Sequence, residues 1–239
     1  MNLYGDTRSG NCYKIKLLAS LLDIRMVWIG IDILAGDTRE EDFLGRNPNG
    51  KIPLLELDDG RFLAESNAIL HYLASGSEWL PEDRYRHAKV LQWQYFEQYS
   101  HEPYIAVARF ISLYLGMPED RRAEFDAKQQ GGYKALGVME RQLEATPFLV
   151  GEHPTIADIS LYPWLRGYKW SKVDITTRPR VLEWVHRVRA RPAVARGLAY
   201  GVPEDEIDSW SKDRRTNYAK GGASIADNAS IAGRGTRRD

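Results

Sequence analysis

The chain has 239 residues, 43% of them hydrophobic, with 33 basic and 33 acidic side chains and a formal net charge of zero. That length and apolar content suit one large domain or two small ones around an ordinary core, and the balanced charge gives no reason to expect nucleic acid or an anionic membrane as a partner. One cysteine cannot close an internal disulfide, which points to a reducing, cytoplasmic setting. No long apolar run stands near the N-terminus, so neither a signal peptide nor a membrane span is expected.

Taken in chain order, short apolar runs ("MNLY", "RMVWIGIDI", "IPLLELDD", "RFLA") alternate with helical patterns at 11–22 and 66–75. Strand candidates interleaved with helices predict a βαβ start. Asp59-Gly60 between the last two runs is a strong hairpin signal, so a ββα unit should follow. "SGSEWLPEDR" is rich in turn formers and reads as a linker. From residue 84 onward apolar residues recur every three and four positions, and Pro103 falls inside the pattern, where it should kink or divide the helix. A further amphipathic helix is expected over 120–145. Thr155 and Asp158, three apart before "ISLYPWL", have the spacing of a capping box. A last helix in "RPRVLEWVHRVRARPAV" should end at Arg191-Pro192. Beyond Gly201 the hydrophobicity thins, and from Lys220 the chain is small, polar and Gly-rich.

Four stretches, "SGNCYKIKLL", "NPNGKIPLL", "LAESNAILHYLA" and "VGEHPTIADISLYPWL", resemble the glutathione transferase family in order and spacing. The resemblance covers roughly residues 1–200. It implies a thioredoxin-like βαβ-ββα domain over 1–77, a linker at 78–85 and an all-helical bundle over 86–202. A C-terminal extension at 203–239 is expected to be at least partly mobile.

The same resemblance implies glutathione as co-substrate and no metal, a small electrophile or disulfide as second substrate, and a homodimer. A cis Ile52-Pro53 bond would turn the Ile52 amide and carbonyl out of the sheet, where they can pair with an extended peptide. In the family this holds the cysteinyl part of glutathione. Ser66 opens a helix whose first amides lack partners, a ready site for a carboxylate. The γ-glutamyl carboxylate is expected there, with Glu65 facing the γ-glutamyl amine and Lys51 reaching the glycyl carboxylate. Each residue also has a plainer use: Ser66 as a cap, Lys51 and Glu65 as solvated charges, Ile52-Pro53 as an ordinary strand start.

A thiol with a pKa of about 8.5 is only a few per cent thiolate at neutral pH, and the thiolate is the nucleophile. Lowering that pKa by about two units requires roughly 2.7 kcal/mol, within reach of one hydroxyl donor aided by a helix N-terminus. Counted back from the helix end at Leu22-Asp23, Ser9 falls where the serine-type classes of the family keep their serine. Gly5 stands where the tyrosine-type classes keep tyrosine, and alternation turns Tyr4 to the other face. Ser9-Gly10-Asn11 resembles the Thr-x-Asn of a bacterial class similar to yeast prion-type transferases, some of which reduce disulfides with glutathione. Asn11 would share the sulfur with Ser9, although both residues are also ordinary helix caps. Cys12 is either a mixed-disulfide former or a small residue packed in the first helical turn.

For the second substrate, "WQYFEQYSHEPYIAVARF" offers Tyr99, Tyr104 and Arg109, with Tyr95 and His101 nearby. Its tyrosines would otherwise pack against helices or a partner subunit. His101 has no metal-ligand neighbour at the usual spacing. The leading reading is a transferase, with disulfide reduction on the same site as one alternative and a non-catalytic binding protein on the same fold as another.

Overall fold

The computed structural model describes residues 1–191 and Val194, so the 203–239 extension lies outside the described residues. The described chain forms two compact units that divide between Leu73 and Ala74.

The first unit is a four-stranded mixed sheet with helices. Its strands are β1 (Asn2–Gly5), β2 (Val27–Gly30), β3 (Leu54–Glu56) and β4 (Phe62–Ala64) in the order β2-β1-β3-β4. β1 runs parallel to β2, with Leu3 opposite Trp28, and antiparallel to β3, with Leu3 opposite Leu55. β3 and β4 form the expected hairpin, and Gly60 in its loop has φ +83°. The helices are α1 (Gly10–Leu21), α2 (Glu41–Arg46) and α3 (Ser66–Ala74).

Strand alternation sorts the core into two faces. Tyr4 and Leu54 pack with Ile31 and with Phe43 of α2. Gly5 points the other way, against Cys12 of α1 and Trp28 of β2. Sequence periodicity gives no sign of α2. That helix has six residues, and of them only Phe43 is buried, so it presents no apolar stripe to find.

The second unit contains α4 (Arg84–Phe96), α5 (Glu102–Leu113), α6 (Arg122–Ala145), α7 (Ile156–Arg166), the short α8 (Tyr168–Ser171) and α9 (Pro179–Arg189). Pro103, in the first turn of α5, divides the long 84–113 pattern as expected. The division is a π-helical turn, Glu97–His101, rather than a break. Proline has no N–H to give the carbonyl four residues back, and the wider turn accommodates that loss. The turn is tied into the unit by Glu97, which is fully buried and accepts from the Trp164 indole at 2.8 Å.

The capping box is formed. Asp158 accepts from the Thr155 amide at 2.8 Å, and Thr155 accepts from Ala157. The same buried carboxylate also takes the Leu149 amide at 3.1 Å and the Trp184 indole at 2.8 Å. The stretch read as a linker is anchored: Trp79 is 3% exposed, and its carbonyl accepts from the Ile156 amide.

Candidate functional site

The turn between β1 and α1 is built on a buried ion pair. The Arg8 guanidinium donates to both oxygens of Asp6, with Nη2 at 2.6 Å, and the two side chains are 2% and 5% exposed. The Arg8 amide donates to Asp6 Oδ1 and the Ser9 amide to the Asp6 carbonyl. Five hydrogen bonds within four residues leave this turn little freedom, and its product is a fixed Ser9.

Ser9 caps α1, its Oγ accepting from the Cys12 amide at 3.3 Å. Cys12 itself is 1% exposed. Burial pushes its thiol up to about 12, against a smaller opposing effect of the Ser9 hydroxyl. A thiol held so far into its protonated form is a packed side chain, not a nucleophile. Gly5 has a definite reason to be glycine: a Cβ there would meet Cys12 Sγ at 2.6 Å and the Trp28 ring at 2.8 Å. No tyrosine fits at that position. One turn further along α1, the buried Lys16 lies 3.4 Å from the centroid of the Trp28 ring. Burial lowers its pKa to about 8.

The start of α3 stands beside the start of α1. Ser66, 4% exposed, donates from Oγ to Asn11 Oδ1 at 3.1 Å and accepts from Lys14 Nζ at 3.3 Å. Glu65, just before it, is exposed and has φ +68°, a left-handed conformation that costs a residue with a Cβ about 1 kcal/mol or more. The Glu65 carboxylate accepts from the Asn49 amide group at 3.5 Å. The Ile52-Pro53 bond is cis, and Ile52 lies outside the β3 ladder, which begins at Leu54. Lys51 is exposed, while its carbonyl accepts from the Asn47 side chain at 2.7 Å.

Ser9, Asn11 and Ser66 thus form one contiguous cluster at two helix N-termini. Lys51, Ile52 and Pro53 come from the adjoining 47–53 segment. Sequence reasoning missed Asp6, Arg8 and Lys14. The signal available for Lys14 was that α1 is apolar nearly all round (Cys12, Tyr13, Ile15, Leu17, Leu18), so a lysine within it has to be buried.

The three residues proposed for the second substrate are not gathered into one cluster. Tyr99 is 85% exposed on the π turn. The Tyr104 ring lies so close over α6 that a Cβ on Gly131 would stand 2.0 Å from it. Arg109, five residues further along α5, is turned about 140° around the helix from Tyr104. Among the described residues, no group of three His, Cys, Asp or Glu side chains is placed to hold a metal ion, and no helix is long and apolar enough to cross a membrane.

Comparison with known proteins gives consistent results. A family model described as glutathione S-transferase, N-terminal domain, matches residues 8–75, and the corresponding C-terminal-domain model matches 122–187. The disulfide-bond oxidoreductase YfcG of Escherichia coli is 29% identical over 210 residues, spanning 85% of this chain and 96% of its own. A glutathione S-transferase structure from Pseudomonas fluorescens is 56% identical with a TM-score of 0.79, covering 80% of this chain and 96% of that one. Glutathione transferase URE2P6 from Phanerochaete chrysosporium, solved with oxidized glutathione, is 27% identical. Its TM-score is 0.75, with 87% and 96% of the two chains covered.

Proposed function

Because this chain belongs to the glutathione S-transferase family, we propose that it is a glutathione-dependent enzyme in which Ser9 stabilises the glutathione thiolate. The observation that carries this reading is the cluster at the N-termini of α1 and α3, where Ser9 and the Asn11–Ser66 pair stand together. Both helix ends favour an anion. The cysteinyl backbone of glutathione pairs with Ile52 beside Pro53, the γ-glutamyl carboxylate takes the α3 N-terminus at Ser66, Glu65 faces the amine and Lys51 the glycyl carboxylate. Glu65 is held in a left-handed conformation, and a disfavoured backbone at a ligand site is a common mark of function.

The thiolate then attacks an electrophilic carbon, forming a carbon–sulfur bond while a leaving group departs or a proton is taken up. Disulfide reduction is a second reading, supported by the likeness to YfcG and to a transferase that binds oxidized glutathione. The thiolate of one glutathione attacks a disulfide sulfur, forming a mixed disulfide and releasing a thiolate. A second glutathione resolves it, so two glutathiones are oxidised as one disulfide becomes two thiols. Buried Cys12 takes no part in either route.

A homodimer belongs to the same reading. Tyr85, Tyr95 and Tyr99, 72%, 68% and 85% exposed, give the 84–101 segment the aromatic surface typical of an interface.

The test is calorimetric titration with glutathione and with oxidized glutathione, followed by the ultraviolet thiolate absorbance of bound glutathione against pH. Binding, with a thiol pKa that rises in Ser9→Ala, is the expected result. Absence of binding by either ligand would end the enzymatic reading, and an unmoved titration in Ser9→Ala would remove Ser9 from the role.

A further inference from the structure

A buried charge stands beside the residues assigned to glutathione. Lys14 lies on α1 with its side chain wholly out of solvent, and its Nζ is 3.3 Å from Ser66 Oγ. An ammonium can only donate, so at this contact the hydroxyl oxygen is the acceptor. Ser66 has a single hydrogen to give, and it goes to Asn11 Oδ1 at 3.1 Å. The chain of donation therefore runs in one direction, from Lys14 to Ser66 to Asn11.

That direction has a consequence at the far end. With Oδ1 of Asn11 engaged by Ser66, the amide is held one way round, and its NH₂ end is left as the donor group. Asn11 stands in the first turn of α1 beside Ser9, which places a second donor next to the hydroxyl assigned to the thiolate. We propose that Lys14 is a positioning residue for the thiolate: it sets the Ser66 hydroxyl, which in turn locks the Asn11 amide with its NH₂ toward the glutathione sulfur. The inference rests on the glutathione reading given above.

The physical case turns on what a buried lysine costs. An ammonium taken out of water carries a large desolvation penalty, and an apolar side chain of similar length would fill the same space without it. The contacts Lys14 makes, that to Ser66 Oγ among them, are therefore what gives its charge a use.

The experiment uses the full chain as Lys14→Met, Ser66→Ala and the double variant. Calorimetry with glutathione on the unsubstituted protein comes first, because absence of binding there would fail the glutathione reading and leave nothing for Lys14 to position. With binding established, the thiolate absorbance of bound glutathione is titrated in each protein. The expected result is a rise in bound-thiol pKa of about one unit in each single variant and no further rise in the double, since the two act through one relay. At a pH below both pKa values, each unit is about a tenfold loss of thiolate and of kcat/KM. A glutathione KM raised with the thiol pKa unmoved would show that Lys14 merely anchors a carboxylate, and would overturn the proposal. Additive shifts in the double variant would overturn the relay. Should Lys14→Met fail to fold, Ser66→Ala decides alone, and an unmoved thiol pKa in it would also overturn the proposal.

Discussion

Gly5→Ala tests whether the junction of β1 and α1 is as tight as its geometry indicates. The added methyl would stand 2.6 Å from Cys12 Sγ, 3.2 Å from its Cβ and 2.8 Å from the Trp28 ring, whereas ordinary contacts begin at 3.4 Å. Cys12 and Trp28 are 1% and 7% exposed, so neither can swing into solvent. Relief requires roughly 1 Å of movement by α1 or β2, the kind of overpacking that costs about 1–3 kcal/mol. Against this, alanine recovers about 0.5–1 kcal/mol of unfolded-state entropy. The clash should win, with a net loss on the order of 1–2 kcal/mol. Cys12→Ala, which trims one buried atom, costs about 1 kcal/mol alone. The double variant removes the sulfur clash but keeps the one with Trp28, so it should show a favourable coupling of about 1 kcal/mol. Urea unfolding followed by tryptophan fluorescence at constant m-value reads all three variants. Because α1 also carries Ser9 and Asn11, the thiol pKa of bound glutathione should rise in Gly5→Ala and fall back in the double variant. Strict additivity of the two substitutions would refute the packing argument.

Four further outcomes are expected. Asp6→Ala takes from the buried Arg8 guanidinium the carboxylate it holds at 2.6 Å, leaving Asp32 at 4.0 Å, and should cost about 3 kcal/mol, a much smaller loss in urea unfolding showing the pair to be dispensable. Asp158→Ala deprives two backbone amides and the Trp184 indole of their acceptor and should lower stability by about 3 kcal/mol or more, read as a fall in thermal midpoint; a wild-type midpoint would contradict it. Glu65→Gly and Glu65→Ala both lose glutathione affinity in calorimetry, but the glycine variant should be the more stable by about 1 kcal/mol, since only it relaxes the left-handed backbone; equal stability would show that φ +68° carries no strain. Stability against pH should follow Lys16, whose folded pKa of about 8 lies below its ordinary 10.5, and Cys12, whose folded pKa of about 12 lies above 9.0. The unfolded state binds more protons at Lys16 from pH 8 to 10.5, so stability rises there. It binds fewer at Cys12 from 9 to 12, so stability falls there, each with a slope of up to about 1.4 kcal/mol per pH unit. Urea melts should thus show a rise from pH 8 to 9, a plateau, and a decline above 10.5. A rise that survives in Lys16→Met would exclude this assignment.

The contrast between what the sequence discloses and what it hides follows residue chemistry. The βαβ and ββα order, the division of the long helix near Pro103 and the Thr155–Asp158 box are legible because each rests on a local rule: alternation, proline's missing donor, a three-residue spacing. Ser9 is legible as a helix cap and Ser66 as the opening of a helix, and a helix N-terminus is also where a bound anion is well held. Asp6, Arg8 and Lys14 belong to another kind of fact. A charged residue in a one-dimensional string reads as solvated, because burial depends on what the fold brings against it. The aspartate two residues before Arg8 is visible, but nothing in "GDTRSG" says that the pair is sealed from water. The expected grouping of Tyr99, Tyr104 and Arg109 shows a related point: five residues along α5 set Tyr104 and Arg109 about 140° apart, and the Tyr104 ring lies in the gap that Gly131 leaves on α6.

Cys12 shows how burial decides between an endogenous and an exogenous thiol. It lies in the first turn of a helix, with Ser9 alongside, which are two of the usual means of lowering a thiol pKa. A helix N-terminus stabilises an anion by about 0.3–1 kcal/mol, up to roughly 2 in favourable sites. The shift of the thiol from 9.0 to about 12 corresponds to about 4 kcal/mol in the opposite direction. Burial outweighs the helix and the hydroxyl together, so this protein's own sulfur is kept protonated. The Ser9 side chain, by contrast, is only partly buried. A thiol brought to it from outside meets the same helix end and the same hydroxyl without losing its access to water. Those means of activation therefore lower the pKa of a bound thiol while failing to lower that of Cys12. Cys12→Ala should accordingly leave kcat/KM for glutathione within about twofold of the unsubstituted protein, and a tenfold loss with the fold intact would mean that the protein's own sulfur enters the reaction.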